Sequence, residues 1–491
     1  MKLKTKFLNW LSGVPVVMLD DKIACEIGIP AKGRVLIRTL SDKPKEIIAV
    51  TNLVQGLIKK DQVAVSNEIK KRLSLKENQI VEIILAQTPE SLELIKKKVN
   101  GKKLSEEEIN KIIEDVVDNS LSDPEISLFV SAMYKQGMSL NEIKFLIKAI
   151  LKTGNKLNFK RKLVVDKHSI GGIAGRTTPI VVSICAAAGL TIPKTSSRAI
   201  TSAAGTADII ETIAEVDFSI DKIKKIVKKT NACIVWGGSL GLVPADSKII
   251  SIEKALGLDP EAQLLASIMA KKLALGSNYI VIDIPYGKTA KVNKKKALRL
   301  KNKFENLGKY FHKKIRCLLV ENFGPLGNGI GPSLELIDVL KVLSGESPCH
   351  NLEKRSLELS GALLEISKKA KKGKGIFEAK KILDSKKALK KFKQIIKAQN
   401  GDFSKIKLGD FSKDVFANSS GKIVFVDNKK INSLARQAGS PTYKGAGIFL
   451  YKHENEKIKK HDKVLTIYAE SLGRLEQAVK FYKKNNPFKI I

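Results

Sequence analysis

A β-branched run that ends on a glycine turn, with a helix opening just beyond it, constrains this chain more than any other feature. The run is Arg161-Lys162-Leu163-Val164-Val165, which reads as a buried strand ending at Asp166. The turn is Asp166-Lys167-His168-Ser169-Ile170-Gly171-Gly172. Thr177-Thr178-Pro179 then opens a helix, with a hydroxyl at the N-cap and proline in the first turn. That helix continues through Ile180-Val181-Val182 to Ala188, and Gly189 stops it. Such a turn suits an oxyanion, because backbone N–H groups approach the ligand where no side chain intervenes, and Lys167 adds charge. The spacing matches neither a P-loop nor a dinucleotide fingerprint. A glycine turn of this kind also occurs for purely structural reasons; the Lys-His-Ser ahead of it favours the anion.

Around this unit the chain changes character several times. Residues 1–86 alternate short β-rich runs with turns, Val14 to Met18, Arg34 to Arg38, Glu46 to Val50 and Ile80 to Leu85, which predicts a small β-barrel-like module. Residues 87–158 turn helical, and three Ser-x-x-Glu capping boxes start at Ser105, Ser122 and Ser139. Part of 245–275 is expected to join that small helical domain. Residues 159–405 alternate strands and helices, so an α/β domain with helices on both faces of a sheet follows. Its runs Ala232 to Trp236 and Tyr279 to Ile284 end in Gly237-Gly238 and Pro285-Tyr286-Gly287-Lys288. Ligands of such sheets collect beyond the carboxyl ends of the strands, so these loops and the Lys167 turn are expected to face one cleft. The lysine-rich stretch Ser367 to Lys393 reads as a solvated helical face. Short strands return over 406–491, at Lys422 to Val426, Ile448 to Tyr451 and Val464 to Tyr468.

The formal net charge is +38, from 88 Lys+Arg against 50 Asp+Glu. That admits a nucleic-acid binder or a lysine-rich surface spread over helices; the lack of an aromatic-interleaved basic module favours the second. Either way, positive potential draws in anionic substrates. The five cysteines form no CxxC pair, which argues against a zinc site or a disulfide framework and fits a reducing cytoplasm. The apolar run Ile180 to Ile192 is too short to span a bilayer. Lys2, Lys4 and Lys6 precede an apolar stretch interrupted by Asn9, Ser12 and Pro15, a poor signal peptide and a better first strand.

Lys167-His168-Ser169-Ile170-Gly171-Gly172 resembles the phosphate loop of the thymidine phosphorylase family. The segment Pro193-Lys194-Thr195-Ser196-Ser197-Arg198-Ala199-Ile200-Thr201-Ser202-Ala203-Ala204-Gly205-Thr206-Ala207-Asp208 is similar to its archaeal AMP phosphorylase branch. The likeness extends from about Lys102 to the C-terminus, and Lys444-Gly445-Ala446-Gly447-Ile448 matches the family's C-terminal glycine turn. It implies the nucleoside-phosphorylase fold: a small helical domain that moves against an α/β domain, flanked by N- and C-terminal β modules. It also implies phosphorolysis of AMP to adenine and ribose 1,5-bisphosphate, with CMP and UMP as further substrates and no metal or organic cofactor. A homo-oligomer is expected, with AMP and orthophosphate as the partners and neither a specific nucleic acid nor a membrane.

The resemblance places Lys167, Ser169, Ser196 and Thr206 around orthophosphate. It places Gly172, Ser197, Arg198, Ala199, Ile200, Thr201, Ser202, Thr206, Ser267 and Lys291 around AMP. Arg198 and Lys291 are, by charge, the natural partners of a 5′-phosphate. Ser267 and Lys271 lie four apart on a helix expected over Pro260 to Leu275. The pyrimidine enzymes use that pair on the base together with an upstream arginine, where this chain has Ile252-Glu253-Lys254. One departure stands in the loop itself: the archaeal enzymes carry an asparagine where here Gly175 joins Arg176 directly. His168 reads either as an acid or base near the sugar or as an orienting group in a tight turn.

Asp259 carries two readings. Asp259-Pro260 has the form of an N-cap and first-turn proline ahead of an apolar helix. The resemblance makes Asp259 the proton donor to the departing base. A helix N-terminus favours the charged carboxylate, whereas a donor needs the protonated one. Two rival functions complete the expectations: a pyrimidine-nucleoside phosphorylase, and an RNA-binding protein on a decayed enzyme fold.

Overall fold

The structure, a computed structural model, describes residues 1–159, 163–199, 202–321 and 324–491. The chain divides into two compact units, Met1–Gly154 with Val243–Ser267, and Asn155–Leu242 with Ile268–Ile491. No described helix is long and apolar enough to cross a membrane.

The first unit begins with a closed barrel of six strands, in the order Lys2–Phe7, Gln62–Val65, Val16–Asp20, Glu46–Val54, Arg34–Thr39 and Ile80–Leu85. Alternation fills it: Val35 and Ile37 point inward at 0% exposure, while Arg34, Leu36 and Arg38 between them are only partly covered. Closure leaves no sheet edge to pair with another chain. Four helices follow, Ser91–Val99, Glu106–Val117, Asp123–Gln136 and Leu140–Lys152. The Ser105 and Ser139 boxes form in both directions: each serine hydroxyl takes the backbone N–H of the glutamate three residues on, and each glutamate returns to the serine N–H at 2.8 Å. Glu142 is also buried against Lys98, at 2.8 Å. The helix Pro244–Leu256 belongs to this unit. Its Lys248 ammonium donates to the carbonyls of Val116 (2.7 Å) and Val117 (2.9 Å), a cation on the carbonyl end of the Glu106–Val117 helix.

The second unit is built on parallel strands. Val165–Ser169 pairs with Tyr279–Tyr286, which pairs with Lys314–Glu321; on the other side Ile192–Ser196 pairs with Ala232–Trp236. A bridge between Val164 and Thr191 joins the two groups. All run the same way, so Ser169, Ser196, Trp236 and Tyr286 end their strands at one edge. The helix Thr178–Ala187 is apolar all round and lies wholly inside, with Ile180, Val181, Val182, Ile184 and Cys185 each at 0% exposure. The lysine-rich stretch holds the helices Gly375–Asp384 and Lys387–Ala398; Phe392, Ile395 and Ile396 bury one face of the second, and most of its lysines lie outside. In the C-terminal part, Gly329–Ile330, Gly447–Leu450, Lys463–Ala469 and Phe411–Phe416 form one antiparallel sheet. The helices Asn428–Gln437 and Leu472–Lys484 are interleaved there, and the sequence pattern did not anticipate them.

The structure amends two expectations around the glycine turn and one at the helix after Pro260. The strand does not stop at Asp166; it runs on to Ser169, paired residue for residue with Tyr279 to Asp283. The cross-strand ladder overrides the unfavourable burial of charged side chains. Arg161 and Lys162 lie outside the described residues. Thr177 makes no side-chain capping bond, because its hydroxyl accepts from Lys167 Nζ at 2.9 Å. The helix after Pro260 spans Glu261–Ala274, and the Pro260 carbonyl takes the first N–H, that of Leu264, at 3.0 Å. Asp259 therefore stands one residue before the cap position.

Candidate active site

Because Val165–Ser169 is a strand, its side chains alternate, with Asp166 and His168 on one face and Lys167 and Ser169 on the other. Lys167 is 3% exposed, and its ammonium donates to two hydroxyls, Thr177 at 2.9 Å and Thr178 at 3.5 Å. Burial pushes its pKa down to about 8; Asp283 pulls the other way, while Arg355, Arg176 and Lys272 add to the fall. A buried cation whose acceptors are hydroxyls is poised to take an anion.

Asp166 is 0% exposed and gathers charge beneath the loop. Lys272 Nζ donates to its Oδ2 at 2.7 Å, the Lys167 backbone N–H to its Oδ1 at 2.7 Å, and Lys194 Nζ lies 3.6 Å away. Burial pushes the Lys272 ammonium below the ordinary lysine range, while its ion pair with Asp166 pulls the other way and favours the charged form. Burial and the flanking lysines hold His168 well below the usual imidazole range, so its ring is neutral at physiological pH. The nearby carboxylate Asp283 is already taken by Arg355.

The turn after Ser169 depends on its glycines. Gly171 and Gly172 have φ of 87° and 93°, and a Cβ on Gly172 would meet the Lys291 backbone nitrogen at 2.8 Å. Two residues expected at AMP are thus neighbours. At Gly175 a Cβ would fall 1.7 Å from the Leu326 carbonyl oxygen. Arg176 is turned inward: its guanidinium donates to the Gly175 carbonyl (3.0 Å), the Ser202 hydroxyl (3.0 Å) and the Ala204 carbonyl, with Glu335 at 3.7 Å. It therefore ties the loop to the Ser202–Ala204 stretch.

Ser196 ends its strand with a buried hydroxyl that has no hydrogen-bond partner among the described residues. Beyond it, Asp208 organises the turn by accepting from the Ala199 and Gly205 N–H groups, both at 2.7 Å. That brings Ser197, Arg198, Ala199 and Ser202 round to Thr206, the buried first residue of the helix Thr206–Ile210. Ile200 and Thr201 lie outside the described residues. Arg198 stacks over Trp236, 5.0 Å from the ring, and pairs with Glu211, which Lys444 also holds at 2.6 Å. The Arg198 hydrogen bond leads in bringing Glu211 down to about 2.

Ser267 is buried near the middle of the Glu261–Ala274 helix. It and half-buried Asp259 belong to the first unit, whereas Lys167, Ser169, Gly172, Ser196–Ala199, Ser202, Thr206 and Lys291 belong to the second. Among the described residues no group of histidine, cysteine, aspartate and glutamate is arranged to hold a metal ion. Lys272 and Asp208 escaped sequence reasoning. The adjacent Lys271-Lys272 was the available signal, since only one of two neighbouring lysines can share the Ser267 face of the helix.

Three family descriptions match the chain: "Glycosyl transferase family, helical bundle domain" over 92–154, "Glycosyl transferase family, a/b domain" over 161–294, and "Pyrimidine nucleoside phosphorylase C-terminal domain" over 422–489. Among solved structures, anthranilate phosphoribosyltransferase from Thermus thermophilus shares the fold, with a TM-score of 0.53 at 18% identity over 62% of this chain and 99% of that one. An AMP phosphorylase of Pyrococcus abyssi is 46% identical over 100% of this chain and 98% of its own length. One of Methanococcoides burtonii is 39% identical over 99% and 97%. With that of Thermococcus kodakarensis 43% identical over 100% of this chain and 98% of its own, the chain belongs to the AMP phosphorylase family.

Proposed function

We propose that this chain catalyses the phosphorolysis of AMP, giving adenine and ribose 1,5-bisphosphate. The observation that carries the reading is the buried Lys167 ammonium of the parallel strand Val165–Ser169, held by hydroxyls and with Lys194, Lys272 and Arg355 also buried. Orthophosphate would sit against Lys167, Ser169, Ser196 and Thr206, with the unpartnered Ser196 hydroxyl gaining an acceptor. One phosphate oxygen forms a bond to C1′ as the C1′–N bond to adenine breaks. The electron pair leaves with the base, and a proton from Asp259 quenches it. Gly172, Ser197 to Ser202, Thr206, Ser267 and Lys291 bind the nucleotide. CMP and UMP are further candidate substrates.

We divide the chain for function into 1–86, 87–158 with part of 245–275, 159–405 and 406–491. We place it in the cytoplasm as a homo-oligomer, and the five cysteines are all free thiols, in keeping with a reducing compartment. The test is base release from AMP with and without orthophosphate, with thymidine and adenosine as controls. Strict dependence on phosphate and inactivity on both controls is expected; release without phosphate would mean hydrolysis and end the reading.

A further inference from the structure

Asp166 poses an electrostatic problem that the residues proposed for orthophosphate do not solve. It is a fully buried carboxylate directly preceding the lysine that is to receive an anion. Left alone, it would repel a phosphate dianion and draw the Lys167 ammonium to itself. The structure answers from the other face of the strand. Lys272, 1% exposed, reaches from the Glu261–Ala274 helix to Asp166 Oδ2 at 2.7 Å. Lys194, held on the Thr195 carbonyl at 2.5 Å, stands 3.6 Å from Oδ1. Lys167 points from the opposite face to Thr177 and Thr178.

Stability alone is a poor reason for such an arrangement. Replacing a buried ion pair by apolar residues is often neutral or stabilising, because desolvation consumes the Coulomb gain. We propose that Lys272 is a positioning residue for orthophosphate: by neutralising Asp166 beneath the loop, it leaves the Lys167 ammonium to the incoming anion. The inference rests on the loop being the phosphate site. Lys272 touches no substrate; it acts through Asp166, and Asp166 in turn fixes the backbone of Lys167 through the N–H it accepts.

Three variants of the full chain test this by steady-state kinetics in both substrates: Lys272→Met, Lys272→Arg and the double change Asp166→Asn with Lys272→Met. Lys272→Met is expected to raise KM for orthophosphate about tenfold or more, the scale of leaving one buried charge unpaired, with KM for AMP little changed. Lys272→Arg keeps the charge and should recover much of the loss. The double variant removes both charges and should return KM for orthophosphate close to wild type. It also carries the test if Lys272→Met does not fold. Equal weakening of both substrates in Lys272→Met, or a double variant with the raised phosphate KM, would overturn the inference. A wild-type chain that releases base without orthophosphate would instead remove the phosphate site on which it rests.

Discussion

Arg198 and Glu211 meet in a two-pronged ion pair, both contacts 2.6 Å, and the same carboxylate is held by Lys444 at 2.6 Å. A 5′-phosphate that recruits Arg198 therefore has to replace a carboxylate, which keeps Lys444 as its partner. Such an exchange would substitute one charge-assisted contact for another and would favour a dianion over a neutral hydroxyl.

Arg198→Ala is expected to raise KM for AMP roughly tenfold or more, since hydrogen bonds to charged groups are worth about 1.5–3 kcal/mol. KM for orthophosphate should move little, and any preference for AMP over adenosine should shrink. Unchanged kinetics with a lowered melting temperature would leave Arg198 as scaffolding.

Lys167→Ala should raise KM for orthophosphate far more than that for AMP. The pH dependence carries a second signature, because burial places the folded pKa near 8, below the ordinary lysine value of 10.5. Below about 8 the ammonium is charged in both states, and the cost of burying that charge is fully present. Between those two values the unfolded chain binds more protons than the folded one, so stability rises with pH there. The stability difference between wild type and Lys167→Met should accordingly move in favour of wild type as pH climbs past about 8. Over the same range KM for orthophosphate should worsen as the ammonium is lost. A phosphate KM that stays flat across that range would separate Lys167 from phosphate binding.

Glu335 is a buried carboxyl, raised to about 7 by desolvation, with Arg176 (3.7 Å) and the Gly331 N–H (3.2 Å) only partly offsetting it. Its folded pKa exceeds the unfolded one, so its contribution is fully present below about 4.5 and lost as pH rises through about 7. Glu335→Gln has no such loss. Melting temperatures of variant and wild type should therefore shift in the variant's favour from about pH 5 to about 7 and level off above that. A pH-independent gap would show that Glu335 stays charged in the fold.

How much of this was legible beforehand follows from what each residue answers to. The β–turn–α unit, the barrel strands at Arg34 and Ile80, and the Ser105 and Ser139 capping boxes are local patterns, and local patterns are written in consecutive residues. The strand carrying Asp166 to Ser169 was cut short because burying Asp, Lys and His violates apolar patterning; its partner lies more than a hundred residues away in Tyr279–Asp283. Thr177 looked like a cap for the same reason, since the competing donor, Lys167, sits ten residues before it on another element. For Lys272, helical spacing separates its face from that of Lys271 but does not say that this face meets Asp166. The helix Asn428–Gln437 was missed with its polar sequence; only Ile431, Leu434 and Ala435 mark its apolar stripe.

Asp259 offers the sharpest separation of structure from chemistry. The helix after it starts at Glu261, and Pro260 supplies the first carbonyl of the ladder, so the cap position falls on proline rather than on the aspartate. Asp259→Asn keeps shape and hydrogen-bonding capacity while removing the proton proposed for the departing adenine. The variant should fold with a melting temperature near that of wild type. Its turnover with AMP should fall by about 10²–10⁴-fold, the usual worth of a general acid. Because the loss falls on leaving-group protonation, KM for orthophosphate should stay close to the wild-type value. A substrate whose base departs as a stable anion should recover part of the lost rate, since it does not need the proton. Near-normal turnover with AMP would assign proton donation elsewhere and leave Asp259 as a residue of the turn between two helices.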